Sequence, residues 1–238
     1  EIGSGLVGSE MCIRDRDYRN FSLFGVRLFL IIFAENNCSL MRNWIFISLI
    51  CLLGMTVQVQ AQGWDARSLH SINGWNMHGF SKGISNSAPY LVVGTPVAMG
   101  VYALAAKNDK LLKDAIYIGT SVIEATVLTY GLKYAVGRTR PYEAHPGYII
   151  PHAIEDSPSF PSGHTAGAFS LATSLCIKYP KWYVIAPSAA WACTVGISRM
   201  NLGVHYPSDV ISGAAIGIGC AFANVYINRW LNKVLFGE

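Results

Sequence analysis

The stretch TAGAFSLATSLCIK, Thr165 to Lys178, decides how the rest of the chain is read. It is apolar, built from alanine, glycine, serine and threonine with a few leucines and isoleucine, and shows none of the polar–apolar alternation of a strand. A buried helix is the consistent reading. Residues 89–106, 114–132, 182–198 and 209–228 have the same character, with small residues and Leu, Ile or Val throughout. Five such stretches predict an all-α helical bundle. Residues 62–88 are more mixed, with Trp64, Trp75 and Phe80 set among polar residues, and suit an interfacial helix and loop.

Composition points towards lipid. Charged residues are 13% and hydrophobic residues 52% of the chain, against about 25% charged in an ordinary soluble domain. Several of the stretches are expected to span a membrane. The stretch 165–178 is the weakest candidate, because a span wants about 20 apolar residues. Glu124, inside another, would be costly in lipid unless it faced the bundle.

The N-terminal part divides in two. Leu6 to Asp15, LVGSEMCIRD, back-translates to CTCGTGGGCTCGGAGATGTGTATAAGAGAC, which looks like a transposon-end sequencing adaptor. Residues 1–40 are therefore expected to be adaptor read-through and upstream translation, not native protein. Met41-Arg42-Asn43 then gives a short basic start, Trp44 to Met55 an apolar run, and Val59-Gln60-Ala61 a small-residue cleavage pattern. Residues 41–61 read as a secretory signal peptide or a retained first membrane helix. Either places residue 62 outside the cytoplasm of a bacterial cell, with residues 62–238 as one domain. From there the basic groups at Lys107 to Lys113, Lys178 to Lys181, and Arg229 with Lys233 fall on the cytoplasmic side by helix parity, as the positive-inside rule prefers. The same parity puts Lys133 to His164 and Ser198 to Tyr206 on the outer side. A soluble periplasmic bundle is the alternative.

Three polar segments interrupt these runs. KYAVGRTRP, Lys133 to Pro141, reads as a basic helix end. If the helix continued, Lys133 and Arg140 would lie two turns apart on one face, ~10 Å along the axis, with Pro141 ending it. SPSFPSGH, Ser157 to His164, offers Ser162 as a helix cap and Gly163 as a point where an anion can approach free N–H groups. SRMNLGVHYPSD, Ser198 to Asp209, holds Arg199, His205 and Asp209, with Pro207 suited to the first position of a helix. Each segment alone has a bland explanation as a polar helix end. Together they offer three cations and helix-start donors for a tetrahedral anion, two imidazoles for nucleophilic and acid–base work, and a carboxylate to orient one of them.

Lys133-x6-Arg140-Pro141, Pro161-Ser162-Gly163-His164 and Ser198-Arg199-x5-His205-x3-Asp209 together resemble the three-part signature of the type 2 phosphatidic acid phosphatase superfamily. That superfamily also holds bacterial class A acid phosphatases and vanadium haloperoxidases. The motifs are separated by 19 and 33 residues, and every fixed position of the pattern is met. The resemblance implies that Lys133, Arg140, Arg199, Ser162 and the Gly163 N–H bind phosphate oxygens. It implies His205 as nucleophile, forming a phosphohistidine, Asp209 as acceptor of the His205 Nδ1–H, and His164 as general acid and then base. The implied activity is hydrolysis of a phosphate monoester or diphosphate, with a lipid phosphate as expected substrate, at the outer face of a bacterial inner membrane. No metal or other cofactor is expected. The alternatives are a vanadium-dependent haloperoxidase and a soluble periplasmic non-specific acid phosphatase.

Other features carry less. Cys176, Cys193 and Cys220 show no paired spacing for a disulfide or zinc site, and a net charge of +4 without a basic stripe gives no sign of nucleic-acid binding. Arg138 is expected beside the site or at the surface. Tyr142, Glu143, His145, Glu155 and Asp156 are expected in a solvated loop between the motifs, with shaping of the site's entrance as the alternative, and His70, His78 and His152 have no assigned role. Trp182, Tyr183 and Trp191 suit packing or an interface. Oligomeric state is not readable.

Overall fold

In a computed structural model, residues 62–236 are described. The expected adaptor segment, residues 1–40, and the signal or first-helix segment, 41–61, lie outside them. Seven helices follow one another: α1 (Gln62–Asn73), α2 (His78–Ala105), α3 (Asp109–Val136), a single turn α4 (Pro141–Ala144), α5 (Gly163–Lys178), α6 (Trp182–Asn201) and α7 (Pro207–Phe236). Among the described residues there is no strand, only an isolated bridge between Pro146 and Ile149. The all-α expectation holds, and the mixed segment 62–88 resolves into α1, a turn and the start of α2.

The stretch Thr165 to Lys178 forms the centre, within α5. α5 packs against α2, α3, α6 and α7, and its small residues are what allow it. A Cβ on Gly213 of α7 would stand 2.6 Å from Ser162 O, and one on Gly217 would collide with Ala166 O, so α5 and α7 meet backbone to backbone. Small-residue contacts of this kind suit helices that gain nothing from hiding apolar side chains from lipid. Ala88, Ala168, Ala172, Ala192 and Val195 form one core cluster; Val92, Tyr117, Ile118, Val122 and Leu171 form another. Polar groups inside are paired across helices: Ser121 Oγ with Ser170 Oγ at 2.8 Å, Tyr117 Oη donating to Ala221 O at 2.5 Å, and Asn224 Nδ2 donating to Tyr117 O at 2.5 Å.

Outward faces are the reverse. Tyr90, Val93, Val97 and Val101 on α2, Ile123 and Val127 on α3, and Ile211 and Phe222 on α7 are exposed. Among the described residues, three largely helical stretches, His78–Ala105, Asp109–Ala144 and Pro207–Arg229, are long and apolar enough to cross a membrane. α5, at 16 residues, is not one of them; it is an inner helix.

Antiparallel alternation brings the three motif segments to one end of the bundle. The opposite end is marked by Asp114, which accepts from Tyr179 Oη at 3.1 Å and pairs with Lys178 Nζ at 3.2 Å. The basic clusters at 107–113 and 178–181 therefore lie away from the motifs.

Candidate active site

The first motif departs from the expected continuous helix. α3 stops at Val136 because Gly137 takes the left-handed conformation, φ 62°, and its N–H bonds back to Lys133 O at 2.9 Å. This is a glycine helix stop. Lys133 thus ends α3, while Arg140 sits past the stop as the cap of α4, with Pro141 beginning that turn. The two cations do not share a helix face; the loop between them brings them together.

Arg140 is the knot joining the three segments. Its Nε donates to Ser157 O at 2.7 Å and its Nη1 to Val204 O at 2.8 Å, fastening the first segment to the second and third. Arg199, in the last turn of α6, donates from Nη1 to Ser85 Oγ at 2.5 Å, and its Nε is buried without a hydrogen-bond partner. Both guanidiniums reach one carboxylate: Arg140 Nη2 lies 3.2 Å from Glu155 Oε2, and Arg199 Nη2 donates to Glu155 Oε1. Lys133 Nζ donates to Pro158 O at 2.5 Å, and a Cβ on Gly163 would touch Lys133 Cε at 3.9 Å, so the lysine runs beside the start of α5. Ser162 is the cap residue of α5 by position, but its hydroxyl pairs with Thr165 Oγ1 at 2.9 Å instead of capping a backbone N–H.

His205 is buried in the loop between α6 and α7. Gly203, at φ 75°, turns that loop, and a Cβ there would stand 2.6 Å from Ile150 O. His205 Nδ1 lies 3.6 Å from Asp209 Oδ2, just beyond hydrogen-bond distance, and has no other partner. Asp209 itself is held from all sides: its Oδ2 accepts from Ser159 Oγ at 2.6 Å and from Tyr206 N at 2.9 Å. The latter bond is the half of a capping box in which the third helical residue reaches back to the cap. Its Oδ1 accepts from Arg138 Nη1 at 2.6 Å.

Burial in the presence of several cations sets the imidazoles. His205 is pushed down to about 3, by burial first, against the opposing pull of Asp209 and with Arg199 and Arg140 adding to the fall. His164 is pushed down to about 4, by burial and then by Arg199, with Glu155 opposing. Burial would raise Glu155, but Arg199, His164 and Arg140 outweigh it and hold the carboxyl at about 2. Both histidines are therefore neutral, and Glu155 ionised, at neutral pH.

Glu155 and Asp65 gain places that the sequence reading did not give them, and Arg138 takes the place beside the site that was one of its two expectations. Glu155 is not a solvated loop residue, since it bridges the two arginines. Arg138 is largely buried, pairing with both Asp209 and Asp65. Asp65, on α1, was not singled out; it accepts from Arg138 Nη2 at 2.9 Å and from Ser208 N at 3.1 Å. The only signal for it was an isolated acid in the first turn of a helix. Among the described residues no group of three His, Cys, Asp or Glu side chains is arranged to hold a metal ion.

The family model of the PAP2 superfamily matches residues 114–233, half of the chain. The chain belongs to the PAP2 superfamily. The match takes in all three motifs, so the resemblance seen in the sequence is membership. Among curated PAP2 relatives, the undecaprenyl-diphosphatase BcrC of Bacillus subtilis is 30% identical over 61% of this chain and 77% of its own length. A lipid A 1-phosphatase of Rhizobium etli is 40% identical over 42% of this chain, which spans only 44% of that relative. The crystal structure of a transmembrane PAP2 type phosphatidylglycerolphosphate phosphatase from Bacillus subtilis shares the fold, with a TM-score of 0.62 at 22% identity, covering 79% of this chain and 96% of that one.

Proposed function

We propose that this PAP2 member is a phosphoric ester hydrolase that removes phosphate from a lipid phosphate or lipid diphosphate without a metal ion, by way of a phosphohistidine. The observation that carries the reading is the meeting of Arg140 and Arg199 on a single anion, Glu155, beside His164 and the His205–Asp209 pair. A clamp that holds a carboxylate with two guanidiniums suits two oxygens of a phosphate.

The chemistry follows from the charges. Lys133, Arg140 and Arg199 would take up the negative charge that spreads over the equatorial oxygens during transfer, and the free N–H groups at the start of α5, with Ser162 and Gly163, would add neutral donors. His205, neutral at the pH of turnover, has a lone pair for phosphorus. A small movement of Asp209 would bring it onto the Nδ1–H as positive charge develops on the ring. His164 is neutral in the free site, first because it is buried and then because Arg199, Lys133 and Arg140 lie near it. A dianionic phosphate would offset those cations and let the ring take the proton that it then gives to the leaving oxygen. Water, activated by the same ring, would release phosphate from His205.

Lipid as substrate is favoured by three helical segments fit to span a membrane and by relatives named for undecaprenyl diphosphate and lipid A. The basic clusters at the end away from the motifs favour a site on the periplasmic side of the inner membrane, with residues 41–61 as the export signal. The test is phosphate release by the purified chain over a panel of lipid and soluble phosphates, with and without EDTA. Release should be fastest on lipids, unchanged by EDTA, inhibited by vanadate, and lost in His205→Ala. Strict dependence on an added divalent ion, or turnover by His205→Ala near the wild-type rate, would overturn the reading.

A further inference from the structure

Glu155 poses a question that the hydrolytic reading leaves open. It is an acid placed where a phosphate is expected, in a protein whose business is phosphate. Its side chain is 26% exposed, whereas the arginines it joins are 2% and 3% exposed. Without it, Arg140 and Arg199 would face each other and Lys133 across a poorly hydrated space, and like charges there repel strongly. The carboxylate relieves that repulsion.

The backbone of Glu155 is fixed independently of its side chain. Tyr142 Oη donates to Glu155 O at 3.2 Å, and Glu155 N donates to Tyr142 Oη at 3.5 Å. A cavity of about 490 Å³ lies along residues 137–143 and 154–158, and Glu155 lines it. The carboxylate thus has open space beside it while its backbone is held in place.

We propose that Glu155 is a displaceable internal anion that occupies the arginine clamp between turnovers and sets the site against free orthophosphate. The proposal rests on the phosphate-clamp reading above and adds to it a role in product release. Every phosphate entering the clamp must displace the carboxylate, so all lose the same binding free energy. A phosphate tethered to a lipid recovers it through contacts of its tail, whereas orthophosphate has no other contacts to draw on. The product therefore leaves readily, and bulk orthophosphate inhibits weakly.

The test is isothermal titration of orthophosphate, and separately orthovanadate, into the full chain in detergent at neutral pH. Glu155→Gln keeps the shape and removes the charge; Glu143→Gln, an exposed residue of the same cavity, removes an equal charge that touches neither arginine. Glu155→Gln should bind both anions about fivefold more tightly than wild type, the upper end for one partly exposed ion pair, and Glu143→Gln should match wild type. Vanadate should also raise the melting temperature of Glu155→Gln, or of Glu155→Ala if the glutamine variant folds poorly, by more than it raises that of wild type. Equal or weaker anion binding by Glu155→Gln, or variants that vanadate does not stabilise, overturns the proposal while leaving the clamp standing. Absence of binding to wild type and variants alike overturns the clamp and this inference with it.

Discussion

Two arginine–carboxylate clusters lie side by side in this protein and are built the opposite way round. In one, Arg138 joins Asp65 and Asp209; both acids are fully buried and the arginine keeps 13% of its side chain exposed. In the other, Arg140 and Arg199 are buried at 2% and 3%, and it is the acid, Glu155, that meets solvent at 26%. Arg138 and Arg140 are only two residues apart, so the same short loop feeds both. Where the acid is sealed in, the pair is a permanent fixture that aims Asp209 at His205. Where the cations are sealed in and the acid is outermost, the proposed exchange of one anion for another has a way to solvent. On that reading, burial of the negative partner distinguishes scaffold from binding site.

The contrast can be broken most severely at the exchangeable cluster. Arg199→Gln should cut phosphate release by about a thousandfold, the loss seen when a donor to developing negative charge is removed, while circular dichroism and gel filtration stay unchanged. At the fixed cluster the main effect should fall on stability. Arg138→Gln leaves two buried carboxylates without their cation, and should cost about 3 kcal/mol in denaturant unfolding, with a smaller loss of kcat than Arg199→Gln. Adding Asp65→Asn to that variant removes one of the stranded charges and should recover about 1 kcal/mol. A strictly additive double variant would show that the three groups do not act as a unit.

The gentlest probe is pH. His164 and His205 are held at about 4 and about 3, below the ordinary 6.5. Between those values the unfolded chain binds more protons than the folded one, so stability should be complete above pH 6.5 and fall as pH drops towards 4. Glu155, held at about 2 against an ordinary 4.5, adds a further loss below pH 4.5. Melting curves from pH 8 to pH 4.5 should show this decline, and His164→Gln should make it shallower. A flat profile would mean that neither imidazole is buried as a neutral group.

The bundle and the bringing together of the motifs were legible in the sequence because both depend on patterns local to short segments. Small-residue apolar runs mark helices, and cations and histidines at their ends mark a site. What escaped notice depended on geometry between segments. The condition that would put Lys133 and Arg140 on one helix fails at Gly137, and a glycine four residues after the lysine is an ordinary stop signal. Glu155 and Asp65 are single acids in polar surroundings, and nothing in their neighbours distinguishes a solvated carboxylate from one facing an arginine many residues away. For Arg138 a place beside the site was expected but its partners were not, because they lie on α1 and α7, at opposite ends of the described chain.

The contact of α5 with α7 through Gly213 and Gly217 reaches beyond packing. One of these helices opens with His164 and the other with Asp209, and main chain against main chain leaves no slack for them to slide. His164 and Asp209 are thereby held in one rigid block. On the proposed reading, adjustment to the shape of a substrate falls to the surrounding 142–160 loop and the ends of α1 and α2 and not to this pair.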